Sequence, residues 1–249
     1  MKTNNLPVFP LGLVALPGTI HNLQIFESRY INMVKDCMEN NHGFVIVFKK
    51  ELPSGDYEIS KKGSYVEIID FNNLPNGLLG ITVKCINKVT IKDLIKLSDG
   101  LNVAQINPVI DPEVDDQALL AEFSEISNIL SQLIKHPRVA DMQIDIDFNS
   151  ADSVAYHLAG LIPIPWIHKQ NLLEAYDASQ RLNILSKYIE EISTKKLLNN
   201  QRRLIRFFSE PIYRFKYFRS SNNFFLNCIF ARIVAQHKPY KYCYQPLTR

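Results

Sequence analysis

Residues with the spacing of metal ligands lie in one short stretch. Asp145, Asp147 and Asn149 present oxygen ligands at alternate positions, as in the first half of a calcium-binding EF-hand loop. Such a loop has glycine at its sixth position and glutamate at its twelfth, whereas this sequence has Ser150 and Tyr156 there. The stretch is therefore predicted to be a solvated connector.

Two histidines farther along, His157 and His168, could also bind a metal ion. Neither has a carboxylate or cysteine partner at useful spacing. We therefore predict that both histidines occupy polar positions near helix ends and that they do not form a metal site.

The short motifs of common enzyme classes are absent from the sequence. A phosphate-binding loop carries a lysine directly after its last glycine, yet none of the nine glycines is followed by lysine. The Gly-x-Ser-x-Gly pattern of serine hydrolases and the His-Glu-x-x-His pattern of zinc peptidases do not occur either. We predict a chain with no enzymatic activity and no cofactor.

Glu27 and Arg29 form the most conspicuous polar pair. They lie where a predicted strand, Thr19 to Ile25, gives way to helical spacing. The pair could contact a bound peptide, or Glu27 could cap the helix while Arg29 ties strand to helix by charge-assisted hydrogen bonds. The structural interpretation is favoured. Trp166, between prolines and a helix start, is either a core anchor or an exposed binding aromatic.

The net charge of +3 conceals two unlike segments. Residues 1–199 carry 18 basic and 24 acidic side chains, whereas residues 200–249 carry ten basic side chains, one acidic side chain and 12 of the 26 aromatics. An acidic body argues against nucleic-acid binding, because phosphate contacts dominate that affinity. The basic aromatic tail, residues 199–249, could bind RNA or an anionic membrane surface. A lineage-specific extension or translation past a frameshift would have the same composition without a native role.

Residues 5–111 are predicted to form a mostly antiparallel β-barrel with one early helix, because short apolar stretches alternate with turn residues. Leu6 to Leu11 contains two prolines, which lack the N–H of a central ladder, so an edge strand or an extended segment is expected. The early helix is expected to bury one stripe of side chains and two further residues one turn aside. The stripe comprises Tyr30, Ile31, Val34 and Met38, and the two further residues are Met33 and Cys37.

Residues 112–198 are predicted to be a small helical bundle, so that the fold class is α+β. Apolar residues from Leu119 to Leu133 recur at helical spacing and predict a single helix. A short helix is expected from Val154 to Leu161, and two more begin near His168 and Asp177.

Several of these residues together resemble a known family, the N-terminal substrate-binding domain of ATP-dependent Lon proteases. The matching stretches are Phe9 to Tyr30, the segment from Gly63 to Cys85 with its turn Leu74 to Gly77, and Leu158 to Leu185. The likeness extends over about residues 5–198. It implies a PUA-like barrel followed by a helical subdomain, without the ATPase and Ser–Lys protease modules. The motif residues, interpreted as structural, are Pro10, Pro17, Gly18, Phe26, Glu27, Arg29, Tyr30, Gly77, Pro163, Lys169 and Gln170.

The resemblance implies a non-catalytic module that binds exposed apolar segments of unfolded or partner polypeptides. An adaptor that hands them to a separate protease or chaperone would fit. We expect binding in a groove between barrel and bundle, lined by Phe9, Leu13, Leu16, Ile20, Leu23 and Trp166. RNA binding through the tail is the alternative, and a small-molecule pocket is a weaker one. Four cysteines without metal or paired spacing, and no signal-like N-terminus, favour the cytoplasm.

Overall fold

Six strands form one mixed sheet that closes on itself. The computed structural model describes residues 5–198 except 141 and 143, so the basic aromatic tail lies outside the described residues. The strand order is β2-β5-β4-β3-β1-β6, and β5 also pairs with β6. The strands are β1 (Asn5–Leu11), β2 (Ile20–Ile25), β3 (Phe44–Glu51), β4 (Tyr57–Asn73), β5 (Leu79–Lys96) and β6 (Asn102–Pro108). Five strands therefore close a ring, β2 is added outside it on β5, and the predicted, mostly antiparallel barrel is confirmed.

Strand β1 is one of the five strands of the ring and lies between β3 and β6, so the expectation of an edge strand was wrong. Its first half, Asn5 to Val8, pairs antiparallel with β6, and its second half, Val8 to Leu11, pairs parallel with β3. Each half thus has a partner strand on one side only. The prolines are tolerated because a missing N–H need not interrupt two ladders at once.

Helix α1 (Ser28–Glu39) covers one face of the sheet. It buries Tyr30, Met33, Val34 and Cys37. Ile31 and Met38, which the sequence also assigned to the buried stripe, are each more than two fifths exposed. The core-facing stripe is therefore rotated toward Met33 and Cys37.

Six helices follow the barrel within the described residues. The predicted single helix from Leu119 to Leu133 is two, because Phe123 leaves the helical conformation at φ −99° and ψ 35°. Ser150 caps the helix that begins at Ala151, because its side chain accepts a hydrogen bond from the N–H of Ser153. The helices are α2 (Asp116–Glu122), α3 (Ser124–Leu133), α4 (Pro137–Ala140), α5 (Ala151–Leu161), α6 (Trp166–Glu174) and α7 (Ala178–Leu198).

The barrel and the helices share a core. Val14, Leu16 and Phe48 of the barrel part are buried among apolar side chains of α3, α5, α6 and α7. Trp166 packs against this core and also against the one beneath α1. The two predicted subdomains, residues 5–111 and 112–198, therefore pack against each other through buried side chains. The boundary between them stays a prediction.

Candidate functional site

The tight turn before β2 is packed against helix α5. Gly18 has a φ of +80°, and a Cβ placed on it would lie 2.8 Å from Cε1 of His157. His157 is buried, and its Nδ1 is held 2.7 Å from the carbonyl oxygen of Ser153. One residue farther, Thr19 lies close to Gly160, where an added Cβ would be 3.0 Å from the threonine Cγ2. Two glycines thus allow the start of β2 to lie directly on α5.

A buried lysine lies next to this contact. Lys169 is 5% exposed, its Nζ is 3.4 Å from the carbonyl oxygen of Gly160, and it lies 5.0 Å from the Trp166 ring centroid. Burial lowers the pKa of Lys169 to about 8. The ammonium therefore weighs against folding at neutral pH, although it binds the C-terminal turn of α5 and the face of an aromatic ring.

This lysine should give a distinct pH dependence of stability. Its pKa is lower in the folded protein than in the unfolded chain, so the unfolded state binds more protons and stability rises with pH between about 8 and 10. We expect Lys169→Met to remove this rise. The free energy of unfolding of the wild type, minus that of the variant, should increase by about 2 kcal/mol from pH 7 to pH 10.

Chemical denaturation of both proteins across this pH range measures the difference. The subtraction is needed because burial also raises the pKa of Cys37 and Cys85 to about 12. These thiols make both proteins less stable as the pH passes the ordinary thiol pKa. A pH-independent difference would show that the amine of Lys169 keeps its ordinary pKa.

Among the described residues, strand β2 has a partner strand on one side only, so its other edge is open. The N–H of Cys85 donates to the carbonyl oxygen of Thr19 at 2.9 Å, and every second pair of an antiparallel ladder is hydrogen-bonded. The alternation therefore directs the backbone N–H and C=O groups of Ile20, Asn22 and Gln24 away from β5, the strand that pairs with β2. Ile20 and Phe26, at the two ends of this edge, are 43% and 42% exposed. We call Ile20, Asn22, Gln24 and Phe26 the β2 edge.

A cluster of four charged side chains, in which Lys88 and Arg181 are buried and Asp111 and Asp152 partly exposed, was not predicted from the sequence. Lys88 and Arg181 both bind the carboxylate of Asp111, and the distance from Arg181 Nη2 to Asp111 Oδ2 is 2.7 Å. Arg181 also binds the carboxylate of Asp152. Arg181 is fully buried, its Nε donates to the Leu172 carbonyl at 3.1 Å, and its guanidinium lies 4.4 Å from the Tyr156 ring centroid. These residues come from β5, the connector to the helices, α5 and α7, so the cluster fastens the barrel to the bundle.

The pKa shifts in the cluster show the cost of burying it. Burial lowers the pKa of Lys88, while the carboxylate of Asp111 opposes the shift. Burial likewise raises the pKa of Asp152 against the attraction of Arg181. The charges are thus held by one another, and each would be unfavourable alone.

The six residues predicted to line a groove do not meet on one open surface. Phe9, Leu13 and Leu23 are buried beneath α1, where the Phe9 ring stacks on Tyr30 at 4.0 Å between centroids. Leu16 is buried in the helical core, Trp166 is half-buried between the two cores, and Ile20 is exposed. A peptide-binding role for these six stays a prediction, and Ile20 is the one already exposed on the β2 edge.

Glu27 and Arg29 form an ion pair at 2.6 Å, and Arg29 Nη1 donates to the carbonyl oxygen of Gly100 at 2.8 Å. Glu27 is the N-cap residue of α1, but its side chain makes no capping hydrogen bond, so that part of the interpretation was wrong. Arg29 ties the helix start to the β5–β6 turn.

The remaining motif residues take backbone or packing positions. Gly77 has a φ of +78° in the β4–β5 turn, and the Pro163 carbonyl accepts a hydrogen bond from Tyr188 at 3.3 Å. Gln170 Nε2 donates to the Lys62 carbonyl at 3.1 Å, which joins α6 to β4. Pro10 pairs with Val47 of β3, and Pro17 is half-buried in the turn before β2.

The stretch with metal-ligand spacing bonds to itself. Asp147 Oδ1 accepts from the N–H of Asn149 at 2.8 Å. The His168 ring lies 5.4 Å from that of Tyr188. In residues 5–198 as described, no three His, Cys, Asp or Glu side chains converge as ligands of a metal ion would. Of the helices in the same part of the chain, none is long and apolar enough to cross a membrane.

A family model described as the ATP-dependent protease La (LON) substrate-binding domain matches residues 5–191. The Lon protease of Heliobacterium modesticaldum is 24% identical over 195 residues, which are 74% of this chain and 23% of that protein. Lon protease 1 of Bacillus subtilis is 25% identical over 202 residues, 77% of this chain and 25% of its own length. The chain thus spans about a quarter of the length of the curated relatives that it matches.

Solved structures agree with the family match. A Lon N-terminal domain protein from Xanthomonas campestris aligns with a TM-score of 0.61 at 25% identity, covering 74% of this chain and 98% of that one. The N-terminal domain of the Mycobacterium avium complex Lon protease aligns with a TM-score of 0.56 at 14% identity, covering 74% and 97%. The second likeness is one of fold alone.

Proposed function

Because the chain belongs to the family of Lon substrate-binding domains, we propose that it binds exposed apolar segments of unfolded or partner polypeptides and does not cleave them. The open β2 edge is the observation that carries this proposal. An extended peptide can add to such an edge as a further strand. The backbone N–H and C=O groups of Ile20, Asn22 and Gln24 can then pair with a peptide of any sequence, because every peptide has the same backbone groups.

Side chains at the two ends of the edge supply the preference for apolar segments. Ile20 and Phe26 are exposed at opposite ends of β2, and a six-residue strand spans about 20 Å. A peptide paired along β2 would reach both residues and could bury apolar side chains on them. Polar Asn22 and Gln24 lie between them and keep the free edge soluble.

The bound polypeptide is handed on to a separate protease or chaperone, and the protein works in the cytoplasm. Such an adaptor needs only a surface that binds the polypeptide, and no active site of its own. Buried thiols support a reducing compartment, since Cys37 and Cys85 are both free and shielded.

Replacing Asn22 tests the open edge directly. Asn22→Pro removes one N–H from the edge but no ladder bond to β5, and proline is accepted on edge strands. Asn22→Ala is the matched control, because it also removes the 2.9 Å hydrogen bond from Thr82 Oγ1 to the Asn22 side chain while keeping the N–H. We expect Asn22→Pro to weaken binding of a reduced, carboxymethylated model protein about tenfold relative to Asn22→Ala.

Fluorescence anisotropy of the labelled model protein, with the full chain as titrant, gives both dissociation constants. Equal affinity of the two variants would show that peptides bind elsewhere. Absence of binding by the wild type at tens of micromolar would overturn the function itself. Thermal unfolding of both variants confirms that the fold is retained.

A further inference from the structure

A small cleft opens in the helical part, on the surface formed by α2, α3 and α7. Its volume is about 70 Å³. The apolar lining comprises Phe123, Ile126, Ile129 and Ile189. The exposed side chains of Glu122, Glu125 and Glu190 stand at its rim, and half-buried Ser186 also lines the cleft. The combination of an apolar floor and three carboxylates suits a partner that carries an aromatic side chain beside cationic ones.

Helix α7 links this cleft to the basic aromatic tail. Ile189 lies nine residues before Leu198, the last residue of the helix, which corresponds to about 14 Å along its axis. An extended chain covers about 3.3 Å per residue, so four or five residues after Leu198 would span the distance back. Residues from about 203 onward can therefore reach the cleft.

The tail has the required chemistry at that distance. Arg202, Arg203 and Arg206 are followed directly by Phe207 and Phe208. Arginine forms bidentate hydrogen bonds with carboxylates, and a phenylalanine side chain gains most from burial in an apolar site. The opposite charges of body and tail favour the same encounter, because residues 200–249 have one acidic side chain against ten basic ones.

We propose that the segment 202–208 folds back on its own chain and binds this cleft, with Phe207 or Phe208 on the apolar floor and the arginines at the glutamate rim. The inference stands apart from peptide binding on β2, since the cleft lies in the helical part. It assigns the tail a specific site on the body, in place of the general affinity for RNA or membranes that its composition suggests.

The rate of disulfide formation between the cleft and the tail tests whether segment 202–208 binds at the cleft. In the full chain with Cys228→Ser and Cys243→Ser, Ser186→Cys lines the cleft and Phe208→Cys lies in the tail. Cys37 and Cys85 are buried and should not compete. The control moves the helix cysteine to Lys187→Cys, which is exposed at the same height on α7 but does not line the cleft.

We expect the Ser186→Cys pair to form an intramolecular disulfide about fivefold faster than the Lys187→Cys pair under mild oxidation. Equal rates would overturn the proposal. A disulfide-linked dimer whose yield grows with protein concentration would mean that a second copy supplies the segment, and would also overturn it.

Charge reversal tests the rim by a separate measurement. With Glu122→Lys and Glu125→Lys in the full chain, trypsin should cleave after Arg203 and Arg206 about fivefold faster than in the wild type, because the docked state is lost. The control, Glu58→Lys with Glu113→Lys, changes the net charge equally at exposed positions away from the cleft. Cleavage rates that match between the two double variants would contradict docking.

Discussion

Replacing Arg181 with methionine should lower the free energy of unfolding by about 3–5 kcal/mol, because removal of one member of a buried ionic cluster leaves its partners uncompensated. Arg181 is fully buried and binds Asp111 and Asp152 at once. In the variant, Lys88 alone would balance two carboxylates, and the Leu172 carbonyl would lose its donor. Urea denaturation at pH 7 measures the loss.

A second substitution distinguishes lost charge balance from lost packing. Arg181→Met combined with Asp152→Asn leaves Lys88 and Asp111 as a balanced pair, so the double variant should be more stable than Arg181→Met alone. Lys187→Met, at an exposed position of the same helix, is the control and should change stability by less than about 0.5 kcal/mol. If Arg181→Met were to cost no more than this control, the cluster would be dispensable for joining barrel and bundle.

The same cluster shows where sequence reasoning ended. Its four members are separated by 23 to 93 residues along the chain, and no local pattern reports that a lysine in a strand will meet an arginine in the last helix. Arg181 lies within the residues that the family resemblance covers, but the resemblance does not indicate which residues it contacts. Charged residues are ordinarily expected at the surface, so composition gives no signal that Arg181 and Lys88 are buried.

The barrel was predictable because its signals are local. Gly18, Gly77 and Gly100 take positive φ values in turns that bound strands, and Leu23 and Ile25 alternate with polar neighbours on β2. Local signals also account for the errors. Phe123 interrupts a helix without a proline or glycine, and the apolar stripe of the sequence continues across the break. Two prolines in β1 indicated an edge, since the sequence cannot show that each half of a strand has its own partner.

The candidate site was harder to predict than the fold. Apolar residues near the motif were chosen as binding residues, yet Phe9, Leu13, Leu16 and Leu23 are buried. An apolar residue in a motif contributes to a core more often than to a surface, and one sequence does not separate the two roles. The open edge of β2 depends on which strands pair, which is a property of the topology. Of the residues proposed from sequence, Ile20 belongs to that edge because it begins the strand.

Glycine 18 gives the second large effect, at the contact between the turn and α5. Gly18→Ala must adopt a φ of +80° and place a methyl group 2.8 Å from Cε1 of His157, so we expect a loss of about 2–4 kcal/mol in the free energy of unfolding. The imidazole cannot easily move aside, because it is buried and its Nδ1 is bound to the Ser153 carbonyl.

Two other glycines separate the causes. Gly55 has a φ of +85° with nothing near its added Cβ, so Gly55→Ala should cost only the backbone strain of about 1–2 kcal/mol. Gly12 has neither a positive φ nor a neighbour within 4 Å, so Gly12→Ala should be close to neutral. The expected order of destabilisation is Gly12, Gly55, Gly18, measured by thermal and urea unfolding. Equal losses at Gly18 and Gly55 would mean that His157 yields to the methyl group, so that the contact between the turn and α5 tolerates a side chain.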